Sequence, residues 1–247
     1  QMCIRDSRIY RELGDALSGM VESFSFTSLA EKILSTEGGA AVQTLSDAGR
    51  AVLVRRALEE LQDNVHYYHR HRRSAAFCQM AAQTIDELKS AGLSGQQLAQ
   101  LAGACGAESG KLSELALIFQ GYETLLARSG MDPSDRLELA GARLEEALAR
   151  HSLPEFLRDR AVFIDEFDTF NAPKKRLLGA MLAALPSVTV ALCDDGAPLL
   201  PGDLSLFSGA KQVAEQLRQL ARKNGAEVAV PQLLRKDLRH RNACLLY

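Results

Sequence analysis

The sequence predicts an α/β protein, predominantly helical overall, in which a parallel sheet is interrupted by a large all-helical insertion. Residues 161–164 are a short, continuous apolar run, and residues 188–192 are a second, largely apolar run; both are typical of strands buried on both faces of a parallel sheet. A predicted helix separates the two runs, and this order favours parallel pairing because parallel strands need a crossover connection. Over residues 46–158, by contrast, apolar residues recur at helical spacing, so this block is expected to be all helical.

The composition is that of a globular protein and excludes some functional classes. The chain has 247 residues, of which 47% are hydrophobic and 24% charged, and its formal net charge is −2. A globally basic nucleic-acid-binding protein is not indicated, whereas a local basic patch is compatible with these values. No apolar stretch reaches the roughly 18 residues of a membrane span. The five cysteines lack metal-site spacing and no secretory leader is recognisable, so we expect free thiols in the cytoplasm and no membrane.

Both ends of the chain are expected to be foreign to the fold. Residues 1–7 and 244–247 resemble translated sequencing-adapter sequence, and we exclude them as one excludes a cloning scar. The natural protein is then expected to continue in both directions. The alternative is that both segments are genuine termini.

The residues between these ends are expected to form three segments: residues 8–45 as the first part of the α/β domain, residues 46–158 as the helical insertion, and residues 159–243 as the continuation of the α/β domain. The first segment opens with a predicted helix over residues 8–19. Residues 21–26 alternate apolar with polar side chains, which predicts a strand. Thr27 or Ser28 is expected to cap a helix that begins at Leu29.

The other two segments carry helix signals at regular intervals. In the insertion, helices are expected to begin at residue 46 and to span residues 75–91, 112–127 and 133–150. After the first apolar run, residues 173–185 and 209–224 are predicted helices, and residues 227–230 are a candidate last strand.

Two acidic residues follow the first apolar run. Asp165 and Glu166 stand at the expected carboxyl end of a parallel strand, where a carboxylate can orient the Mg²⁺ of a bound nucleotide. The sequence contains no phosphate-binding loop of the pattern G-x-x-x-x-G-K-[ST], so tight ATP binding by that route is not expected. The alternative is an ordinary polar strand end, with Asp168 or Thr169 capping the next helix.

Residues 66–73, with the sequence HYYHRHRR, form a candidate phosphate-binding segment. Its arginines are Arg70, Arg72 and Arg73. Tyr67 or Tyr68 can stack on a base in this interpretation, and the alternative is a solvated loop between two helices. A second basic cluster near the end of the chain contains Arg239 and Arg241, which can also contact a DNA backbone.

Six stretches resemble one bacterial protein family, and their order along the chain matches as well. They are SFSFTSLA at residues 23–30, LSDAGRA at 45–51, IDELK at 85–89, FIDEFDTF at 163–170, LFSGAK at 206–211 and LRHRN at 238–242. Together they resemble the AddB (RexB) subunit of the bacterial AddAB ATP-dependent helicase–deoxyribonuclease, over residues 8–243. The resemblance implies a P-loop NTPase or helicase-like sheet and a role in resecting DNA double-strand breaks for recombinational repair.

The resemblance also implies partners, cofactors and sites. The parent protein would form a heterodimer with an AddA-type subunit and bind single- and double-stranded DNA. Mg-ATP and a [4Fe–4S] cluster are implied for the full-length parent. Its phosphate loop and nuclease domain would lie outside this chain. The fragment alone is therefore expected to bind no cofactor and to be inactive. Asp165 and Glu166 would occupy the place of an often degenerate Mg-ATP carboxylate motif. Phe26, Thr27 and Ser28 would contact single-stranded DNA.

Two rival functions stay open. In the first, the region belongs to a non-enzymatic scaffold that scans DNA and holds a partner without hydrolysis. Loss of ATP turnover on substitution of Asp165 and Glu166 in the full protein would argue against it. In the second, the chain is an unrelated small α/β ATPase-like regulator. Residues 21–26, 161–166 and 188–193 would then not be neighbours in one parallel sheet.

Overall fold

The computed structural model describes residues 13–14, 19–104, 106, 109–165 and 167–233. Within them the chain is predominantly helical and contains one two-stranded parallel sheet. The α-helices are α1 (Phe26–Glu37), α2 (Asp47–Glu60), α3 (Ala75–Ser90), α4 (Gly95–Gly103), α5 (Ser109–Ser129), α6 (Pro133–Ala149), α7 (Ala172–Ala184) and α8 (Ser208–Lys223), and the strands are β1 (Ala161–Ile164) and β2 (Ser187–Val190). None of the described helices is both long enough and apolar enough to cross a bilayer.

The chain divides into two compact units. Among the described residues, the first comprises those from 13 to 158 and residues 171–180, and the second comprises those from 159 to 170 and from 181 to 233. Helix α7 therefore begins in the first unit and ends in the second.

The core of the first unit lies between α2, α3 and α5. Its largest fully buried side chains include Phe119 and Tyr122 of α5, Leu58 of α2 and Ile85 of α3. Each such side chain stabilises the fold by about 1.5–3 kcal/mol, so the apolar faces at helical spacing determine how these helices pack. Helix α4 packs against α5, and α1 packs against α6. The helices expected in this block are confirmed by α2, α3, α5 and α6, with bounds that differ by a few residues.

The prediction of a strand over residues 21–26 is wrong. Helix α1 begins at Phe26, three residues before the expected start at Leu29, and residues 21–25 are not part of a strand. The apolar residues of this region belong to a helical series, and the buried members are Phe26, Leu29, Ala30, Ile33 and Leu34. Spacings of three and four place these side chains on one helix face, so burial against α6 outweighs the short alternating pattern before it.

Serine side chains cap four helices of the first unit. Ser25 is the N-cap of α1, where Thr27 or Ser28 was expected. The Ser25 hydroxyl accepts a hydrogen bond from the N–H of Ser28 at 3.1 Å, and the Ser28 hydroxyl accepts one from the N–H of Ser25 at 2.8 Å. This reciprocal capping box satisfies backbone groups that the helix itself leaves unpaired. Further serine caps precede α2, α3 and α4, at Ser46, Ser74 and Ser94.

In the second unit, β1 and β2 pair in parallel, with Ala161 opposite Ser187 and Ile164 opposite Val190. The expected parallel pairing is confirmed, and so are the helices that correspond to α7 and α8. The strands are not buried on both faces as expected, because Phe163 is 77% exposed. Ile164 is the buried residue of β1, and the side chains of β2 are exposed or half-buried.

Two further predictions have different outcomes. Residues 227–230 form no strand, and Val230 is 88% exposed, because no described strand pairs with this segment. The helix expected over residues 8–19 lies outside the described residues, apart from residues 13, 14 and 19.

Candidate nucleic-acid interface

The arginine segment, residues 66–73, connects α2 to α3 and is anchored by a buried carboxylate. Glu114 of α5 is 6% exposed. Its two oxygens accept hydrogen bonds from three consecutive backbone N–H groups, at 2.7 Å from His66, 2.9 Å from Tyr67 and 3.3 Å from Tyr68. Backbone N–H groups that converge on a carboxylate form strong, charge-assisted hydrogen bonds. The segment is therefore held in one conformation at its start, unlike a loosely solvated loop.

The three arginines of the segment differ in their surroundings. Arg70 and Arg73 are exposed and form no ion pair with any other residue that the structure describes. Arg72 is half-buried and donates a hydrogen bond to the Nε2 atom of His69 at 2.8 Å. The segment contains no acidic residue. Two guanidinium groups therefore face solvent without a neutralising carboxylate, which is the arrangement that an anionic ligand requires.

Aromatic rings line a groove formed by this segment and the start of α3. The Phe77 ring of α3 stacks on Tyr68, with ring centroids 5.4 Å apart, and on His71, with centroids 5.5 Å apart. Tyr67 and Met80 complete the groove, and each is 58% exposed. We call this the aromatic groove. Sequence analysis identified its tyrosines but missed Phe77, Met80 and the anchor Glu114.

The predicted DNA contacts at the start of α1 lie in three different environments. Phe26 is buried, and the Nζ atom of Lys174 lies 5.6 Å from its ring centroid. The Ser28 hydroxyl is engaged in the capping box with Ser25. Of these three residues, Thr27 is the exposed one.

The acidic strand end of the second unit is only partly described. Asp165 follows β1 directly and is exposed, and Glu166 lies outside the described residues. Asp195, which follows β2, is held by the ammonium group of Lys211 at 2.8 Å. This contact, together with the N–H of Ala197, lowers the pKa of Asp195 from 3.8 to about 2. Parallel strands end at the same sheet edge, and Asp165 stands directly at the carboxyl end of β1.

Among the described residues, no group of three or more His, Cys, Asp or Glu side chains is arranged to hold a metal ion. Their cysteines Cys78 and Cys193 are free thiols, one buried and one exposed. Arg239 and Arg241 lie outside the described residues.

Comparisons with known proteins identify one family. A family model described as "ADDB, N-terminal" matches residues 5–247. A protein from Desulforudis audaxviator, named as the B subunit of an ATP-dependent helicase/deoxyribonuclease, is 33% identical over 227 residues, which cover 89% of this chain and 19% of that protein. A protein of the same name from Moorella thermoacetica is 31% identical over 231 residues, which cover 89% of this chain and 19% of that protein. Another, from Symbiobacterium thermophilum, is 30% identical over 246 residues, which cover 92% of this chain and 20% of that protein. The chain thus spans about a fifth of the length of these relatives.

Proposed function

The chain belongs to the AddB N-terminal family, and on that premise we propose that it is the part of a helicase/deoxyribonuclease B subunit that binds single-stranded DNA. The parent complex would resect DNA double-strand breaks for recombinational repair. The names of the relatives, which describe an ATP-dependent helicase/deoxyribonuclease, support this assignment. Because those names also describe one subunit of the enzyme, they support a partner chain, which we propose is of the AddA type.

One observation carries the proposal for DNA binding, namely the arginine segment. Arg70 and Arg73 are presented on a segment that Glu114 fixes and that contains no acidic side chain. Phosphate contacts supply most of the sequence-independent affinity for nucleic acids, and each contact releases a counterion. Thr27, accessible at the start of α1, is proposed as an additional contact.

The test is a titration of this chain with a fluorescently labelled single-stranded oligonucleotide at several salt concentrations. The double variant Arg70→Gln/Arg73→Gln should bind more weakly, and its plot of log affinity against log salt should be shallower by about 1.4, since each lost phosphate contact removes about 0.7. The matched control is Arg128→Gln/Arg160→Gln, which removes two exposed arginines elsewhere and changes the net charge equally. Equal losses in both double variants would mean that overall charge, not this segment, determines binding.

A second proposal concerns the acidic strand end in the full-length protein. We propose that β1 and β2 belong to a P-loop NTPase or helicase-like sheet, with Asp165 and Glu166 in the place of its carboxylate motif. The parallel pairing of the two strands and the position of Asp165 at the end of β1 support this. ATP turnover should fall in a full-length, partner-bound protein carrying Asp165→Asn and Glu166→Gln. Unchanged turnover would favour the alternative of a non-enzymatic scaffold that binds DNA without hydrolysis.

A further inference from the structure

The aromatic groove exposes large apolar side chains, and it is formed in part by the segment that carries Arg70 and Arg73. It is lined by Tyr67, Tyr68, His71, Ala76, Phe77 and Met80. The side chains of Tyr67 and Met80, each 58% exposed, stand at its surface. Exposed aromatic and methionine side chains that lie together mark binding surfaces more often than isolated ones do.

The rings of the groove are held in place by the protein itself. Phe77 stacks on Tyr68 and on His71, with both ring pairs inclined at 29°. The Tyr67 ring lies against the first turn of α5, since a methyl group added at Gly110 would come within 2.9 Å of its Cε2 atom. The backbone of Tyr67 is fixed by Glu114. A planar ligand would therefore meet rings that are already ordered, which reduces the entropy lost on binding.

From this arrangement we infer that the aromatic groove is a stacking site for an unpaired nucleobase of the strand whose phosphates contact Arg70 and Arg73. The inference rests on the proposed function and adds a basis for preferring single strands to duplex. Aromatic faces stack on bases of any sequence, and exposed guanidinium groups attract the phosphates on either side. Bases within a duplex already stack on one another, so they cannot enter the groove without unpairing.

A purely apolar protein partner would be a poorer match for this surface. Three arginines and three histidines lie within the eight residues that border the groove, and no acidic residue lies among them. A nucleotide combines a planar ring, which can stack on the aromatic side chains, with an anionic phosphate, which the arginines can contact. Proteins that bind single strands without sequence preference use this combination of stacking rings and cationic side chains.

The test compares single-stranded and duplex binding in this chain and its variants. Oligothymidylate of about 15 nucleotides, a length that spans a typical single-strand site, would be titrated against a duplex of equal length. Tyr67→Ala should weaken single-strand binding about 5- to 100-fold, change duplex binding little, and leave the salt dependence unaltered because no phosphate contact is lost. Tyr67→Phe keeps the ring and should bind like the parent chain.

Two further variants and an optical signal guard against a trivial loss of folding. Gly110→Ala leaves Tyr67 in the sequence but displaces its ring, so it should also weaken single-strand binding. Leu101→Ala, which shortens an exposed leucine of α4 outside the groove, should have no effect. The chain contains no tryptophan, so its tyrosine fluorescence can be observed directly, and quenching by oligothymidylate should be reduced in Tyr67→Phe and Tyr67→Ala.

The outcomes separate this inference from the proposed function. If the arginine double variant loses single-strand affinity while Tyr67→Ala and Gly110→Ala do not, the groove is not a base site and the proposed function stands. If Tyr67→Ala weakens single-strand and duplex binding equally, Tyr67 only positions the arginines and stacking is refuted. If the parent chain binds no oligonucleotide even at low salt, both proposals fail. If Tyr67→Ala leaves DNA binding unchanged but weakens association with an AddA-type subunit, the groove is a protein-docking site instead.

Discussion

Each of the two units contains a lysine that is held by a pair of carboxylates, and the two arrangements differ in their surroundings. In the first unit, Lys89 contacts Asp132 at 2.9 Å and Asp135 at 2.6 Å. In the second unit, Lys211 contacts Asp195 at 2.8 Å, and Asp203 lies at 3.8 Å. The side chain of Asp132 is only 1% exposed, whereas that of Asp195 is 38% exposed.

The difference lies in what else each carboxylate contacts. Asp132 also accepts a hydrogen bond from the buried hydroxyl of Tyr122 at 2.6 Å, so the ion pair of Lys89 is joined to the core of α5. Asp195 is held by Lys211 and by the N–H of Ala197 at the surface of a loop. A charge that is fully removed from water depends on its partners, whereas water can replace a partner of an exposed carboxylate. The same residue types therefore contribute differently to the stability of the two units.

The largest expected effect follows removal of the buried carboxylate. Asp132→Ala leaves the Tyr122 hydroxyl without its acceptor and Lys89 with one partner, so the free energy of unfolding should fall by about 3–5 kcal/mol. Asp135→Ala is the matched control, since its side chain is 32% exposed, and its cost should be about 1 kcal/mol. Urea unfolding followed by circular dichroism measures both values. Similar losses in the free energy of unfolding for the two variants would mean that burial of the carboxylate does not determine its contribution to stability.

A smaller effect is expected at alkaline pH. Burial lowers the pKa of Lys89, but its hydrogen bonds to Asp135 and Asp132 outweigh burial and raise the pKa above the ordinary 10.5. Burial, aided by Asp132, raises the pKa of Tyr122 above the ordinary 10. Both groups hold their protons more tightly in the folded protein than in the unfolded chain. The stability that they contribute is therefore fully present below pH 10 and is lost as pH rises through the folded-state pKa values.

Tyr122→Phe tests this pH dependence. The variant should lose about 1–3 kcal/mol at neutral pH, because Asp132 loses a buried hydrogen bond. Its free energy of unfolding should then decline less steeply than that of the parent chain between about pH 9 and about pH 11. Parallel curves for the two proteins would mean that Tyr122 does not contribute to the alkaline loss.

The parts of this fold that sequence analysis predicted are those with a strong local signal. The apolar spacing of α5 and the strand–helix–strand order of β1, α7 and β2 required no knowledge of distant contacts. The prediction of a strand before α1 was wrong because residues 21–26 alternate between apolar and polar side chains over only six residues. That length is too short to distinguish a strand from the start of a helix.

The contacts that organise the candidate site could not be predicted from the sequence. Glu114 lies 48 residues from His66, and Lys89 lies 43 residues from Asp132. Nothing in the local pattern of Glu114 distinguishes a buried anchor from an exposed helix residue. Phe77 likewise has the spacing of a core residue, and its place in the aromatic groove depends on how the arginine segment folds back onto α3. Long-range polar contacts of this kind depend on the packing of the helices and appear only once it is known.

The smallest expected effect concerns the lysine of the second unit. The pKa of Asp195 is lowered from 3.8 to about 2, chiefly by Lys211, so the stability that this contact contributes is present above about pH 4 and is lost as pH falls toward 2. Lys211→Met should return the pKa of Asp195 toward 3.8 while the unfolding midpoint at neutral pH changes less than in Asp132→Ala. An NMR titration of the Asp195 carboxyl carbon, assigned with Asp195→Asn, measures the shift. A pKa that stays near 2 in Lys211→Met would mean that the N–H of Ala197, not the lysine, stabilises the Asp195 carboxylate. Lys211 would then contribute less to the stability of its unit than Lys89 does, by more than the exposure of their carboxylates indicates.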